Sequence, residues 1–215
     1  MKKSVYSLML FDEIVERIDD MAYMHHTNRS QLINDILADY VGMETPEQKI
    51  QSVLEALNAN MDDMLAVSQI NQNSSIYFGK SLKYKYRPKV RYIYEFKNDG
   101  EGRYAVLKVS SRTQNRDLNE RFDDFFDQIC TVERQHHQID REGDDDQIQH
   151  KFVRAFKHAG AVSRDENTLT DFLTRYLRMI DTAMDTYFET DGQGNIGAQI
   201  DAIYSHFLGE TINED

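Results

Sequence analysis

Apolar and polar positions alternate strictly at the start of the chain, with Tyr6, Leu8 and Leu10 on one side and Val5, Ser7 and Met9 on the other. That period of two predicts a short strand with two unlike faces. From Asp12, a good N-cap, the spacing changes: Ile14, Ile18, Met21 and Ala22 recur at helical intervals, Val15 widens the stripe, and a first helix is expected to about Met24. His25-His26-Thr27 breaks the pattern. Asn28 can cap a second helix, with Gln31 placed to bond back as in a capping box, and Leu32, Ile33, Ile36, Leu37, Tyr40 and Val41 form its apolar face until Gly42 and Pro46.

A third helical pattern covers residues 46–72 through Ile50, Val53, Leu54, Leu57, Met61, Met64, Leu65 and Val67. It suits a coiled-coil extension or packing onto the next domain. After the weakly structured 71–75, two β-type segments, Tyr84 to Phe96 and Arg103 to Ser110, flank Asn98-Asp99-Gly100-Glu101-Gly102, which is strong hairpin chemistry. Alternation groups Val90, Tyr92, Tyr94 and Phe96 on one face of the first, and Ala105, Leu107 and Val109 on one face of the second. Pro88 makes the early part an edge or a separate strand. From Asn115 onward three or four amphipathic helices are expected, marked by Leu118 to Val132, by Ile148, Phe152, Val153 and Phe156, by Leu169 to Tyr187, and by Ile196 to Leu208. The expected fold is therefore α+β and mostly helical, in three parts: 1–42, a connecting helix over 43–75, and a C-terminal α+β domain, 76–215, with a small antiparallel sheet and three or four helices.

Strand, helix, turn and helix in some forty residues cannot bury both helix faces, and a lone strand leaves its backbone unpaired, so this part must dimerise. The segment Tyr6-Ser7-Leu8-Met9-Leu10-Phe11-Asp12-Glu13-Ile14, with Asp20-Met21-Ala22 and Asn28-Arg29-Ser30-Gln31-Leu32-Ile33 after it, resembles the ribbon-helix-helix DNA-binding family over residues 2–42. The resemblance implies that two chains pair their strands into an antiparallel ribbon in the major groove. On that likeness Val5, Ser7 and Met9 read bases, and Tyr6, Leu8 and Leu10 form the dimer core. Asn28, Arg29 and Ser30 hold a phosphate at a helix start, and Lys2 and Lys3 reach flanking phosphates. The reading face departs from the family's usual polar or basic character: Ser7 stands between two apolar residues, which suits thymine methyl groups better than guanine. The alternative is a module used for dimerisation alone.

Charge sharpens this picture. The 215 residues carry a net charge of -12, which by itself argues against nucleic acid. The distribution is uneven: residues 80–112 hold ten Lys/Arg against three Asp/Glu, and residues 113–215 hold ten against twenty-two. Lys80, Lys83, Lys85, Arg87, Lys89 and Arg91 interleave with Tyr84, Tyr86 and Tyr92. Such a pattern fits a second nucleic-acid surface, and equally a guarded sheet edge or an internal dock for the acidic helices. The single Cys130 lies in an apolar helical pattern and reads as a buried thiol. No apolar run reaches the length of a membrane span, and the N-terminus lacks a signal-peptide cleavage site, so a cytoplasmic protein without a membrane partner is expected.

Little else carries chemistry. Asp144 to Asp146 and Asp191 to Asn195 lack the ligand spacing of a calcium loop, and the pairs His25-His26 and His136-His137 have no Cys or His partner at zinc spacing. No catalytic residue, metal site or cofactor is expected. The expected function is double-stranded DNA binding by a homodimer or higher homo-oligomer acting as a transcriptional regulator, a repressor at a palindromic operator. The alternatives are a plasmid or mobile-element accessory protein (partition, copy control or relaxosome) and an antitoxin-like adaptor whose C-terminal domain binds a protein partner.

Overall fold

A computed structural model describes residues 4–61, 65, 67–71, 74–98, 103–136, 150–156 and 166–212. The fold is α+β. It comprises the helices α1 (Asp12–Met24), α2 (Arg29–Tyr40), α3 (Pro46–Met61), α4 (Arg116–His136), α5 (Glu166–Glu189) and α6 (Ile196–Ile212). A single antiparallel sheet holds β1 (Val67–Asn71), β2 (Ser75–Ser81), β3 (Lys89–Asn98), β4 (Arg103–Ser111) and β5 (Lys151–Phe156) in sequence order. Two compact units divide within α3, Met1–Ser52 and Val53–Asp215.

In the first unit, Asp12 is the first residue of α1 rather than its cap, and Phe11 holds the cap position without a side-chain hydrogen bond. The Asn28 carboxamide accepts from the Gln31 backbone N–H at 3.0 Å and so caps α2. The Gln31 side chain also donates from its amide nitrogen forward to Asp35 at 2.8 Å, one helical turn on. A complete box forms at α3. There the Thr45 hydroxyl accepts from the Gln48 N–H at 3.2 Å and Gln48 Oε1 accepts from the Thr45 N–H at 2.6 Å, with Pro46 at the first helical position. The strand expected at Val5 to Leu10 forms no ladder, and residues 4–11 have no regular structure within the single chain. Strand geometry is a property of pairing, and this chain supplies no partner for the segment among its described residues.

In the second unit the sheet has unlike faces. Ile76 and Phe78 of β2, Val90, Tyr92, Tyr94 and Phe96 of β3, Ala105, Leu107 and Val109 of β4, and Phe152 and Phe156 of β5 are buried on one of them. Helices cover that face: Phe126 of α4 stacks on Phe152 at 5.7 Å, Tyr176 of α5 meets Phe156 edge-on at 4.9 Å, and Phe207 of α6 packs on Tyr176. The Tyr94 hydroxyl donates to the Leu173 carbonyl at 2.8 Å and locks the middle of the sheet to α5. The opposite face carries Tyr77, Arg91, Ile93, Glu95, Tyr104 and Lys108, all half-buried.

Three expected elements differ. The helix predicted over 46–72 stops at Met61, and Val67–Asn71 pairs with Ser75–Ser81 as a hairpin with Asn71 opposite Ser75. The Leu65 N–H still bonds the Met61 carbonyl at 3.1 Å, and a strand as short and polar as Val67–Asn71 has no periodicity to announce it. The first β segment begins at Lys89 rather than Tyr84, since Leu82 to Pro88 form a tight loop. The helix predicted from Ile148 to Phe156 is strand β5, with Phe152, Arg154 and Phe156 turned inward and Lys151 and Val153 outward. Ile148, the predicted hairpin turn 99–102 and Asp144 to Asp146 lie outside the described residues. No helix among the described residues is long and apolar enough to cross a membrane.

Candidate nucleic-acid interface

The residues singled out at the N-terminus are outside any core. Val5 is 99% and Met9 101% exposed, and Tyr6, Ser7, Leu8 and Leu10 are exposed with them. Lys2 and Lys3 lie outside the described residues. The exposure continues into the helices: Ala22 is the one buried residue of α1, and α2 has none. Ile14, Ile36, Leu37, Tyr40 and Val41, which the pattern placed on inward faces, remain open to solvent.

At the start of α2 the first-turn N–H groups and the helix dipole point away from the helix, as an anion site requires. Arg29 does not stand free there. Its guanidinium grips Asp19 of α1 in a two-point fork, Nε on one carboxylate oxygen at 2.6 Å and Nη2 on the other. The pair holds the Asp19 carboxyl below its ordinary range, chiefly through the hydrogen bond from Arg29. Ser30 sits in the same turn, and its carbonyl accepts from the Asn34 side chain at 2.8 Å.

The basic block separates into two groups. Lys80 turns to the helix-covered face and bonds Asp181 at 2.6 Å and Asp185 at 2.7 Å, so part of the block docks on the acidic α5. Tyr92 joins it, donating to Asp181 at 2.5 Å, and its hydroxyl is held well above the usual range by burial and then by that carboxylate. Tyr84 likewise leans toward the helices, edge-on to Phe188 at 5.1 Å and hydrogen-bonded to Asp191, which Arg121 also pairs at 2.9 Å. Lys83, Arg87 and Lys89 are exposed without an ion-pair partner among the described residues, and the exposed Lys85 acts through space on the Asp191 carboxylate. Lys85 stands over the Tyr84 ring at 5.9 Å, and Arg91 over Tyr77 at 5.0 Å.

The Val53–Asp215 unit also holds an ionic cluster that the residue pattern alone did not single out. Glu133 of α4 and Arg154 of β5 form a salt bridge at 1% and 5% side-chain exposure. Tyr176 of α5 donates to the second oxygen of Glu133 at 2.5 Å, and Cys130 lies 3.9 Å from the guanidinium. Burial alone would discourage the charge on Arg154, but Tyr176 and Glu133 around it more than offset that penalty and keep it cationic. A signal was present in the patterning: Glu133 follows Ile129 by four residues on an apolar stripe, and Arg154 alternates with Phe152 and Phe156.

Compared with known proteins, the chain matches no family model, no curated protein and no solved structure.

Proposed function

We propose that this protein is a homodimeric, double-stranded-DNA-binding transcriptional regulator of ribbon-helix-helix type. One observation carries the reading: residues 4–11 alternate between two sets of side chains, all exposed, and lead into two helices that together bury a single alanine. A unit with so little internal core gains stability by burying that surface elsewhere, and a second copy offers a self-complementary strand edge and the same apolar faces. Pairing two such segments antiparallel turns Tyr6, Leu8 and Leu10 inward and leaves Val5, Ser7 and Met9 as a ribbon of the width a major groove admits. The fork between Arg29 and Asp19 is exposed, so a DNA phosphate at the α2 start exchanges for the carboxylate at little cost.

Selection of bound fragments from random double-stranded DNA, repeated across a salt series, tests the reading. The expected result is an enriched palindrome whose binding weakens steeply as salt rises. Ser7→Ala should reduce discrimination between sequences while leaving nonspecific affinity intact. Arg29→Ala should weaken all sequences alike and flatten the logarithmic salt slope by about 0.9 for each phosphate it no longer neutralises. If both variants behave as wild type, the N-terminal ribbon does not read DNA.

A further inference from the structure

The loop between β2 and β3 holds an arrangement that neither the fold nor the N-terminal unit requires. It is ordered by its own backbone: the Leu82 N–H bonds the Pro88 carbonyl, the Tyr84 N–H the Leu82 carbonyl and the Arg87 N–H the Tyr84 carbonyl, each at 2.9 Å. The last of these closes a turn over 84–87 whose third position is Tyr86, with φ at 66°, followed by Arg87 at 44°. A left-handed backbone at that position belongs to glycine or asparagine. Here it carries an aromatic ring that is 82% exposed and packs on nothing that would repay the strain. Strain at a residue the core does not use points to function at that residue.

Cations neighbour Tyr86 along the chain. Lys83 and Arg87 flank it on the loop, and the strand that follows puts Lys89 and Arg91 on the open face of the sheet, away from α5. Arg112 is brought alongside by its own N–H, which bonds the Lys89 carbonyl at 2.9 Å. Next to the loop an open groove of about 360 Å³ lies on the sheet, its lining including Tyr77, Gly79, Ser81, Lys89, Arg91 and Arg112. Gly79 lies opposite Arg91 in the ladder, and the missing side chain leaves the groove open. Lys83, Arg87, Lys89 and Arg112 have no carboxylate partner among the described residues, although the chain as a whole is strongly acidic.

We infer that this loop and groove bind the backbone of single-stranded nucleic acid, with phosphates along Lys83, Arg87, Lys89 and Arg112 and one unstacked base on Tyr86. An exposed ring beside a row of unpaired cations fits a splayed strand, whose bases offer a π-face; a duplex hides its bases from such a ring. An acidic peptide would use the cations without needing an aromatic face, and a membrane surface, which can also seat a tyrosine, is separated from a strand by the vesicle competition. Phosphates and a base π-face are common to DNA and RNA, so both kinds of strand are expected to bind. The inference does not rest on the N-terminal ribbon.

The test measures fluorescence anisotropy of labelled oligo(dT), oligo(U) and a duplex of equal length with the full chain, across a salt series, with anionic phospholipid vesicles as a competing surface. In an Arg29→Ala background, which weakens the proposed duplex contact, both single strands should bind more tightly than the duplex at low salt. Tyr86→Ala should lower their affinity about 5- to 150-fold, and Tyr86→Phe should restore it. Lys89→Ala and Arg112→Ala should each flatten the logarithmic salt slope by about 0.7. Tyr86→Gly separates function from folding: it should lose binding like Tyr86→Ala while its thermal midpoint stays level or rises, because the turn is relaxed. Arg29→Ala should leave oligo(dT) binding unchanged, and Tyr86→Ala should leave palindrome selection unchanged, so either reading can fail alone. Absence of single-strand binding, equal or tighter duplex binding in the Arg29→Ala background, an unaffected Tyr86→Ala, or vesicle binding lost in the same variants would each overturn the inference.

Discussion

Glu133→Ala should destabilise the Val53–Asp215 unit by about 3–5 kcal/mol, seen as a lower urea midpoint at unchanged slope by far-UV circular dichroism. The size follows from what remains after the change. Arg154 is pinned by β5 at 5% exposure, and its guanidinium would lose the carboxylate that offsets its desolvation. Tyr176 would lose its acceptor at the same time. Tyr176→Phe, which removes one donor and leaves the ion pair, should cost only about 1–3 kcal/mol. The double replacement Glu133→Leu with Arg154→Met removes both charges together and should recover most of the loss, since apolar residues of similar volume often replace a buried pair without penalty. A double variant as unstable as Glu133→Ala would mean that packing volume, not charge, holds α4, β5 and α5 together here.

The same cluster shows where the sequence could be read and where it could not. Helices α4, α5 and α6 were legible because their apolar stripes persist over 17 to 24 residues, long enough for a 3.6-residue period to exclude other spacings. The inward face of β3 was legible for the matching reason, since Val90, Tyr92, Tyr94 and Phe96 alternate without a break. Strand β5 was not. Phe152 and Phe156 stand four apart, which satisfies a helix and a strand alike, and the residue that decides between them is Arg154, a charge at an inward position. A charged residue is ordinarily assigned to solvent, and Arg154 becomes an inward residue only once Glu133 is known to lie across from it. Lys80 and Asp181 repeat the lesson: each shares the spacing of its apolar neighbours, Ile76 and Phe78 for one and Leu177 and Met184 for the other, and each is accommodated by its partner. Part of the basic block therefore belongs to the interior, and the exposed remainder is what a ligand could use. At the N-terminus the alternation was clear, yet residues 4–11 form no strand in the single chain, because alternation alone does not supply a pairing partner.

Leu8→Asp should convert the protein from dimer to monomer at concentrations where wild type is fully dimeric, measured by sedimentation equilibrium. In the proposed ribbon Leu8 faces inward, and two-fold symmetry places the substitution in the interface twice. A buried carboxylate without a cationic partner costs about 3 kcal/mol or more, so two cost about 6 kcal/mol and raise the dimer dissociation constant on the order of 10⁴-fold. Palindrome selection should disappear with the dimer, because two half-sites are engaged together only when the ribbon is closed. Ser7→Asp is the matched control. It adds the same charge one residue away on the outward face, where it meets solvent in the free protein and phosphate in the complex, so the dimer should survive while DNA binding is lost. This pair of outcomes depends on the alternation of side chains about a paired strand and on nothing else in the chain. A Leu8→Asp variant that stays dimeric would move the interface away from residues 4–11, and a Ser7→Asp variant that dissociates would reverse the two faces of the ribbon.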